Sequence, residues 1–202
     1  SKYQQLINEN QKKFIRTLAN QIRVSIRNAL NHNKVKRLSV TDGLTNLYNH
    51  SYFHSQLQQK EGEKYSVAIM DIDHFKDFND EYGHQAGDQV LRELSDVLKS
   101  EIREDDIVAR YGGEEFVIVL TETNLAEVKR RAEKLREKIA SLGIEHQESK
   151  VADHVTVSIG AAIAQPAHEN GSKDLIEQAD KMLYQAKEAG RNQVKVADSI
   201  MK

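Results

Sequence analysis

The first 38 residues carry a regular stripe of apolar positions and contain neither glycine nor proline. Five positions follow the alternating three- and four-residue spacing of a coiled coil: Ile15, Leu18, Ile22, Ser25 and Ala29. The spacing predicts a long helix over residues 1–38. Such a helix either packs on its own domain or pairs with a second copy. Its place ahead of the domain favours a signalling helix that pairs in parallel.

From residue 39 onward the apolar pattern switches between the strand and helix periods. The predicted strands are Tyr65–Met70, Ile107–Tyr111, Phe116–Leu120, Val155–Ile163 and Val194–Val196. The predicted helical stripes are Val90–Leu98, Leu125–Ile139 and Leu175–Ala186. Strict alternation from Val155 predicts a strand with one face toward the core. The order predicts an α+β domain over residues 39–202, with a largely antiparallel sheet flanked by helices.

Two local signals refine these predictions. Asn124 and Glu127 resemble a capping box that opens the second helix, and Gly190 is a candidate cap that ends the third. Ile107–Tyr111 and Phe116–Leu120 flank Gly112 and Gly113, which predicts a hairpin.

Composition excludes several classes of protein. The chain has 202 residues, of which 39% are hydrophobic, which is enough for a packed core. The absence of cysteine excludes disulfides, thiolate metal sites and a thiol nucleophile. A net charge of −2 argues against duplex nucleic acid as the main partner. No apolar run is long enough to span a bilayer, so we expect a cytoplasmic domain. Because the chain opens on Ser1, we expect a fragment whose upstream sequence is missing, and that sequence could anchor a longer protein.

Carboxylates gather at two predicted turns. Asp71 and Asp73 follow a buried strand, and Glu114 and Glu115 stand at the hairpin tip. Such groups can converge on Mg²⁺, which binds one or two carboxylates and takes its other ligands from phosphates and water. A solvated turn with ordinary surface acids remains an alternative for the hairpin tip alone.

Cations lie near the same predicted turns. Lys187 and Arg191 stand four residues apart at the end of the last long helix, and Lys76 follows the Asp71 turn. These side chains could hold a triphosphate. The helix dipole alone would also explain Lys187.

Four ordered blocks share the pattern of one family. They are Asp42-Gly-Leu-Thr-Asn-Leu-Tyr-Asn49, Asp71-Ile-Asp-His-Phe-Lys76 with Asn79 and Gly83 to Asp88, Arg110-Tyr-Gly-Gly-Glu-Glu-Phe116, and Lys187-Glu-Ala-Gly-Arg-Asn192. The pattern resembles the GGDEF family of diguanylate cyclases over about residues 39–197. One five-residue turn can arise by chance, whereas four ordered blocks are far more specific.

The resemblance implies a fold related to nucleotidyl cyclases and the polymerase palm. It also implies condensation of two GTP into cyclic di-GMP, with release of pyrophosphate. Two Mg²⁺ or Mn²⁺ ions per GTP would be bound by Asp71, the Ile72 carbonyl and Glu114. Glu114 would help to deprotonate the attacking 3′-hydroxyl, and Glu115 would bind metal or orient that hydroxyl.

The resemblance further implies how GTP is held. Asn79 and Asp88 would bind guanine, whose two adjacent N–H donors suit a carboxylate. The phosphates would be held by the backbone near His74 and Phe75 together with Lys76, Lys187 and Arg191. Gly112 and Gly113 would make room for the nucleotide.

One such domain holds one GTP, whereas the product needs two phosphodiester bonds. We therefore expect a homodimer with two domains face to face, aligned by the amino-terminal helix. We hypothesise that this helix aligns the two domains in response to a missing upstream sensor domain.

A second site follows from Arg103 and Asp106, which stand at the family's product-inhibition spacing before Gly112. Lys134 is a candidate supporting contact where relatives often carry arginine. The alternative is a surface arginine in the acidic run of residues 101–106. His50 also replaces a frequent arginine, and its effect is left open.

Two other functions remain open. A catalytically silent relative would sense GTP or cyclic di-GMP, but such proteins usually lose the acidic turn or the first aspartate. An interaction domain driven by its amino-terminal helix would not respond to GTP. The intact acids and cations favour the enzyme.

Overall fold

The computed structural model describes residues 12, 14–26, 40–60, 64–121, 124–164 and 171–197. The chain divides into two compact units, Ser1–Val40 and Thr41–Lys202. In the first unit, residues 14–26 form helix α1. Much of the predicted 1–38 helix, including Ala29, lies outside the described residues. Along α1 the stripe side chains Ile15, Leu18 and Ile22 are 54%, 43% and 52% exposed.

The second unit is built on a six-stranded sheet in the order β1-β3-β4-β2-β5-β6. The strands are β1 (Tyr48–Asn49), β2 (Tyr65–Ile72), β3 (Ile107–Arg110), β4 (Glu115–Thr121), β5 (Val157–Ile163) and β6 (Val194–Val196). The helices are α2 (His50–Gln59), α3 (Phe75–Tyr82), α4 (His84–Glu101), α5 (Leu125–Ala140) and α6 (Gly171–Glu188).

Strand directions confirm the predicted fold class. The three central pairs, β3–β4, β4–β2 and β2–β5, are antiparallel, and the two outer pairs, β1–β3 and β5–β6, are parallel. The domain is therefore an α+β sandwich with a largely antiparallel sheet, and the predicted hairpin is β3–β4. Among the described residues, no helix is both long and apolar enough to cross a membrane.

Apolar side chains pack on both faces of the sheet. One core contains Leu94 of α4 and Val128 of α5. The other contains Phe53 of α2 and Leu183 of α6. All eight residues of β2 are buried, because successive side chains enter opposite cores.

The prediction that β5 has a single core face was wrong. Its small residues on the other face are also buried, because α6 packs directly on them. A Cβ atom added to Gly160 would lie 2.0 Å from the Leu183 nitrogen and 2.2 Å from the Ala179 carbonyl oxygen. The strand and the helix therefore approach to backbone contact, which only glycine permits.

Helix α5 begins as the sequence predicts. The Asn124 side chain accepts a hydrogen bond from the Glu127 backbone N–H at 3.0 Å, which caps the helix. The Glu127 carboxylate bonds Arg130 and Arg103, so it ties the first turn of α5 to the segment before β3.

Candidate active site

Antiparallel pairing brings the predicted acids together. Asp71 at the end of β2 lies directly opposite Glu115 at the start of β4. The Ile72 N–H donates to the Glu114 carbonyl oxygen at 3.4 Å, and the Tyr111 N–H donates to the Glu115 carbonyl oxygen at 2.8 Å. The glycine turn is therefore held beside the end of β2, with three carboxylates around it.

Burial, and then repulsion from neighbouring charges, makes Asp71 and Glu114 harder to ionise. Burial raises the pKa of Asp71; the bond and charge of Lys187 oppose this, and the Glu115 charge adds to it. Burial and then the Asp71 charge likewise raise the pKa of Glu114. The Lys187 Nζ lies 2.9 Å from Asp71 Oδ2, and the Asp71 side chain is only 8% exposed. The cluster therefore favours additional positive charge.

The donor set fits Mg²⁺ only with help from a substrate. Within the described ranges, no three His, Cys, Asp or Glu side chains form a ready-made metal cage. Mg²⁺ does not require one, because it commonly uses one or two carboxylates and completes its shell with phosphates and water. Asp71 and Glu114 supply hard oxygen ligands, and the Lys187 ammonium already occupies a position that favours a cation.

Gly112 and Arg110 fix the shape of the turn. A Cβ atom at Gly112 would lie 2.7 Å from Glu115 Oε2, so the Glu115 side chain lies across this glycine. Arg110 donates to the Gly113 carbonyl oxygen at 2.7 Å and to Asp42 Oδ1 at 3.1 Å. The first and third sequence blocks therefore meet through one ion pair, a role that the motif alone did not reveal.

The predicted phosphate-binding backbone lies at the amino end of α3. His74 adopts a left-handed conformation with φ of 55°, and the helix begins at Phe75. Free N–H groups at a helix start suit a phosphate. Lys76 is exposed in the first turn. The fully buried His146 bonds the His74 carbonyl oxygen at 3.2 Å, a supporting contact that the sequence did not indicate.

The two predicted guanine ligands are brought together by a glycine. A Cβ atom at Gly87 would lie 1.9 Å from Asn79 Oδ1, so the Asn79 amide rests against α4 beside Asp88. Both side chains are partly exposed. The structure therefore places Asn79 against the turn of α4 that carries Asp88.

A helix-ending motif lies between the two predicted cations at the end of α6, Lys187 and Arg191. The Arg191 N–H donates to the Ala186 carbonyl oxygen and the Gly190 N–H to that of Lys187, at 3.0 and 3.4 Å. Gly190 has a φ of +109°, which confirms it as the cap. Arg191 and Asn192 also have positive φ, 61° and 44°. The turn follows Lys187, whose ammonium lies near Asp71, and Arg191 is part of the turn.

A second, basic pocket has a volume of about 160 Å³. It is lined by Glu101, Arg103, Arg130, Arg131, Lys134 and Leu135. Two of the predicted product-binding residues, Arg103 and Lys134, therefore share one pocket. Arg130 and Arg131 were missed, although Arg131 continues the apolar face of α5 at helical spacing from Val128 and Leu135.

Asp106, the third predicted residue of this site, is enclosed. Its side chain is 0% exposed and forms an ion pair with Arg131. It also accepts hydrogen bonds from the backbone N–H groups of Arg103 at 2.9 Å and Thr121 at 3.1 Å. Burial opposes its charge, but these bonds hold the pKa of Asp106 below its ordinary value. Lys134 forms an ion pair with Glu101 at 2.6 Å.

Comparison with known proteins gives consistent matches. The family model described as "Diguanylate cyclase, GGDEF domain" matches residues 39–193. The chain is 41% identical over 169 residues to "Probable diguanylate cyclase DgcT" of Escherichia coli (strain K12), covering 82% of this chain and 37% of that protein. It is 39% identical over 175 residues to "Response regulator PleD" of Caulobacter vibrioides, covering 84% and 38%. The chain thus spans less than half the length of these curated relatives.

A solved structure agrees over nearly the whole chain. The coiled coil and GGDEF domain of DgcB from Caulobacter crescentus, in complex with c-di-GMP, has a TM-score of 0.80 and 34% identity. The match covers 91% of this chain and 99% of that one. It agrees with the family that the four sequence blocks resemble.

Proposed function

We propose that this chain, which belongs to the GGDEF family of diguanylate cyclases, condenses two GTP into cyclic di-GMP and releases pyrophosphate. The observation that carries the proposal is the convergence of Asp71, Glu114 and Glu115 beside the Lys187 ammonium. A silent sensor module does not need these acids for catalysis, and holding them buried and close together opposes their ionisation. GTP is a cytoplasmic nucleotide, so the proposal includes a cytoplasmic location.

In the proposed mechanism the acids bind the metal ions and act on the attacking 3′-hydroxyl. Asp71, Glu114 and the Ile72 carbonyl would hold two Mg²⁺ or Mn²⁺ ions per GTP. When bound, the ions neutralise phosphate charge and lower the pKa of the 3′-hydroxyl. Glu114 would also accept the hydroxyl proton as the general base. Glu115 orients that hydroxyl across Gly112.

The remaining side chains bind and select GTP. Lys76, Lys187 and Arg191 hold the triphosphate with the backbone of His74 and Phe75, and stabilise charge on the leaving pyrophosphate. Asp88 accepts both guanine N–H donors, and Asn79 bonds the same base. Adenine lacks this donor pair and would leave the Asp88 carboxylate unpaired.

The proposal requires two copies of the chain. Each 3′-hydroxyl attacks the α-phosphate of the other nucleotide, so two domains must face each other. We assign residues 1–38 to a signalling helix that pairs in parallel and residues 39–202 to the catalytic domain. The exposed apolar stripe of α1 supports the pairing, as does the similarity to a structure that includes a coiled coil.

One assay tests both the cyclase activity and the need for a dimer. The protein is incubated with GTP and Mg²⁺ over a range of protein concentrations, and the product is measured by chromatography. Bound nucleotide is removed first. We expect cyclic di-GMP with specific activity that rises steeply with concentration. The variant Leu18→Glu with Ile22→Glu should shift this rise to at least about tenfold higher concentration, whereas Gln21→Glu on the same helix should not. GTP binding without product at any concentration would instead support the sensor module.

The basic pocket supports a regulatory part of the proposal. We assign it to product binding, with Arg103 and Lys134 facing the nucleotide and Asp106 holding the Arg103 backbone. Arginine planes stack on purines and pair with guanine edges and phosphates. Arg130 adds charge at the same surface.

Arg103→Ala is expected to weaken product inhibition by about 10- to 100-fold in inhibitory concentration, since one charged ligand contact is lost. Uninhibited turnover should change little, because the Arg103 side chain is 61% exposed and pairs with Glu127 of α5. The measurement is initial rate against added cyclic di-GMP. Arg92→Ala, an exposed arginine on α4, is the matched control. An unchanged inhibition curve in Arg103→Ala would remove the pocket from the proposal.

A further inference from the structure

Asp73 is the second carboxylate of the strand-end pair, yet its environment differs from that of Asp71. It is only 1% exposed. Its Oδ1 accepts from the Ser158 hydroxyl at 2.7 Å, and its Oδ2 accepts from the Thr156 hydroxyl at 2.8 Å and the Asn192 N–H at 3.0 Å. Its own N–H donates to the Thr156 carbonyl oxygen at 2.9 Å.

These contacts leave Asp73 poorly placed to bind a metal ion. Three donors already point at its two oxygens, and a bound cation would have to displace them from a buried position. Sequence spacing treats Asp71 and Asp73 as equivalent, because side chains two residues apart on a strand share a face. However, β2 ends at Ile72, and Asp73 lies in the turn beyond it. Asp71 meets Lys187 and Glu115, whereas Asp73 meets β5 and the turn after α6.

The turn that Asp73 holds has an unfavourable backbone. Arg191 and Asn192 both have positive φ, although neither is glycine. Such conformations persist only where surrounding contacts hold them. Asn192 is held twice, by Asp73 at its N–H and by Arg136, which donates to its side-chain oxygen at 2.9 Å. Arg191 lies between the cap of α6 and this anchored residue.

We propose that Asp73 is a positioning residue for the triphosphate: it fixes the Arg191–Asn192 turn against the end of β2, and so sets the distance between the acids and the phosphate-binding cations. The inference rests on the proposed function for its ligand, GTP. The hydrogen bond from the Asn192 N–H to Asp73, which we call the clasp, is present in the nucleotide-free domain. Asp73 acts through Asn192 and touches neither metal nor reacting atoms.

Asp73→Asn tests this role because it keeps the shape but weakens acceptance from three donors. Hydrogen–deuterium exchange of the nucleotide-free protein should show faster exchange by about tenfold in residues 187–193. The KM for GTP should rise about tenfold, with kcat within about threefold of wild type. The Mg²⁺ concentration for half-maximal rate should not move. Asp153→Asn, whose side chain is 96% exposed, is the matched control.

The outcomes distinguish a positioning role for Asp73 from a metal-ligand role. A metal-ligand role for Asp73 would raise the Mg²⁺ requirement and reduce kcat, with exchange in 187–193 unchanged, and that result would overturn the proposal. Ser158→Ala removes one donor without a charge, and should give a smaller change in the same direction if Asp73→Asn does not fold. A wild-type chain without cyclase activity would refute the proposed function, while the exchange comparison would still decide the clasp.

Discussion

Asp71→Asn is expected to reduce cyclic di-GMP formation about 1,000-fold, equivalent to about 4 kcal/mol of transition-state stabilisation. Asparagine has the same shape but carries no charge with which to hold a divalent cation. The loss should persist at saturating GTP and high Mg²⁺, because it affects the charge that balances the transferring phosphate. The measurement is the amount of cyclic di-GMP formed, determined by chromatography over a series of Mg²⁺ concentrations.

The same variant should not unfold the domain. Because the folded-state pKa of Asp71 lies above the ordinary value of 3.8, its ionised form lowers stability at neutral pH. That penalty disappears as the pH falls through the raised pKa. A neutral asparagine removes the cost of burying the charge and then the repulsion toward Glu115, and these outweigh the loss of the Lys187 ion pair. The melting temperature without metal should therefore be equal to or above that of wild type. Asp153→Asn should change neither activity nor melting. Turnover of Asp71→Asn within tenfold of wild type would contradict the metal-site assignment.

Gly160→Ala is expected to lower the free energy of unfolding by about 3 kcal/mol. The added methyl group would stand 2.0 and 2.2 Å from backbone atoms of α6, and these cannot turn aside as a flexible side chain would. The helix must shift, and it carries Lys187. For a domain of this size we expect the melting temperature to fall by about 6–12 °C. Thermal unfolding followed by circular dichroism measures this.

Gly43→Ala is the matched control for that prediction. No heavy atom lies within 4 Å of the position of its added Cβ, and its φ is not in the left-handed region. Its melting temperature should stay within about 2 °C of wild type. If Gly160→Ala melted like Gly43→Ala, the close contact between β5 and α6 would be refuted.

Sequence patterns predicted the central sheet and the family because their signals are local. The hairpin around Gly112, the buried run of β2 and the cap at Gly190 each depend on neighbouring residues, and the structure confirms all three. The second face of β5 was missed because Ser158 and Gly160 have the composition of a solvent-facing surface. Their burial depends on α6, which lies later in the chain.

The sequence also located most of the candidate site, but not the partners that hold it. It gave Asp71 and Asp73 one shared role, because residue spacing does not show that Asp73 meets Asn192, 119 residues away. The sequence did not single out Arg131, which is buried as the partner of Asp106. Ion pairs and hydrogen bonds between distant segments have no periodic signature, so only the fold reveals them.

The two outermost strands bear on how copies of the domain can meet. An exposed sheet edge offers unpaired N–H and C=O groups to any neighbouring chain, and proteins limit this by keeping edge strands very short. Among the residues that the structure describes, the edges are β1, with two residues, and β6, with three. Neither is long enough to extend the sheet into a second molecule. The proposed pairing of two copies would therefore use side chains and bound nucleotide, so that the domains could approach and separate without β-type aggregation.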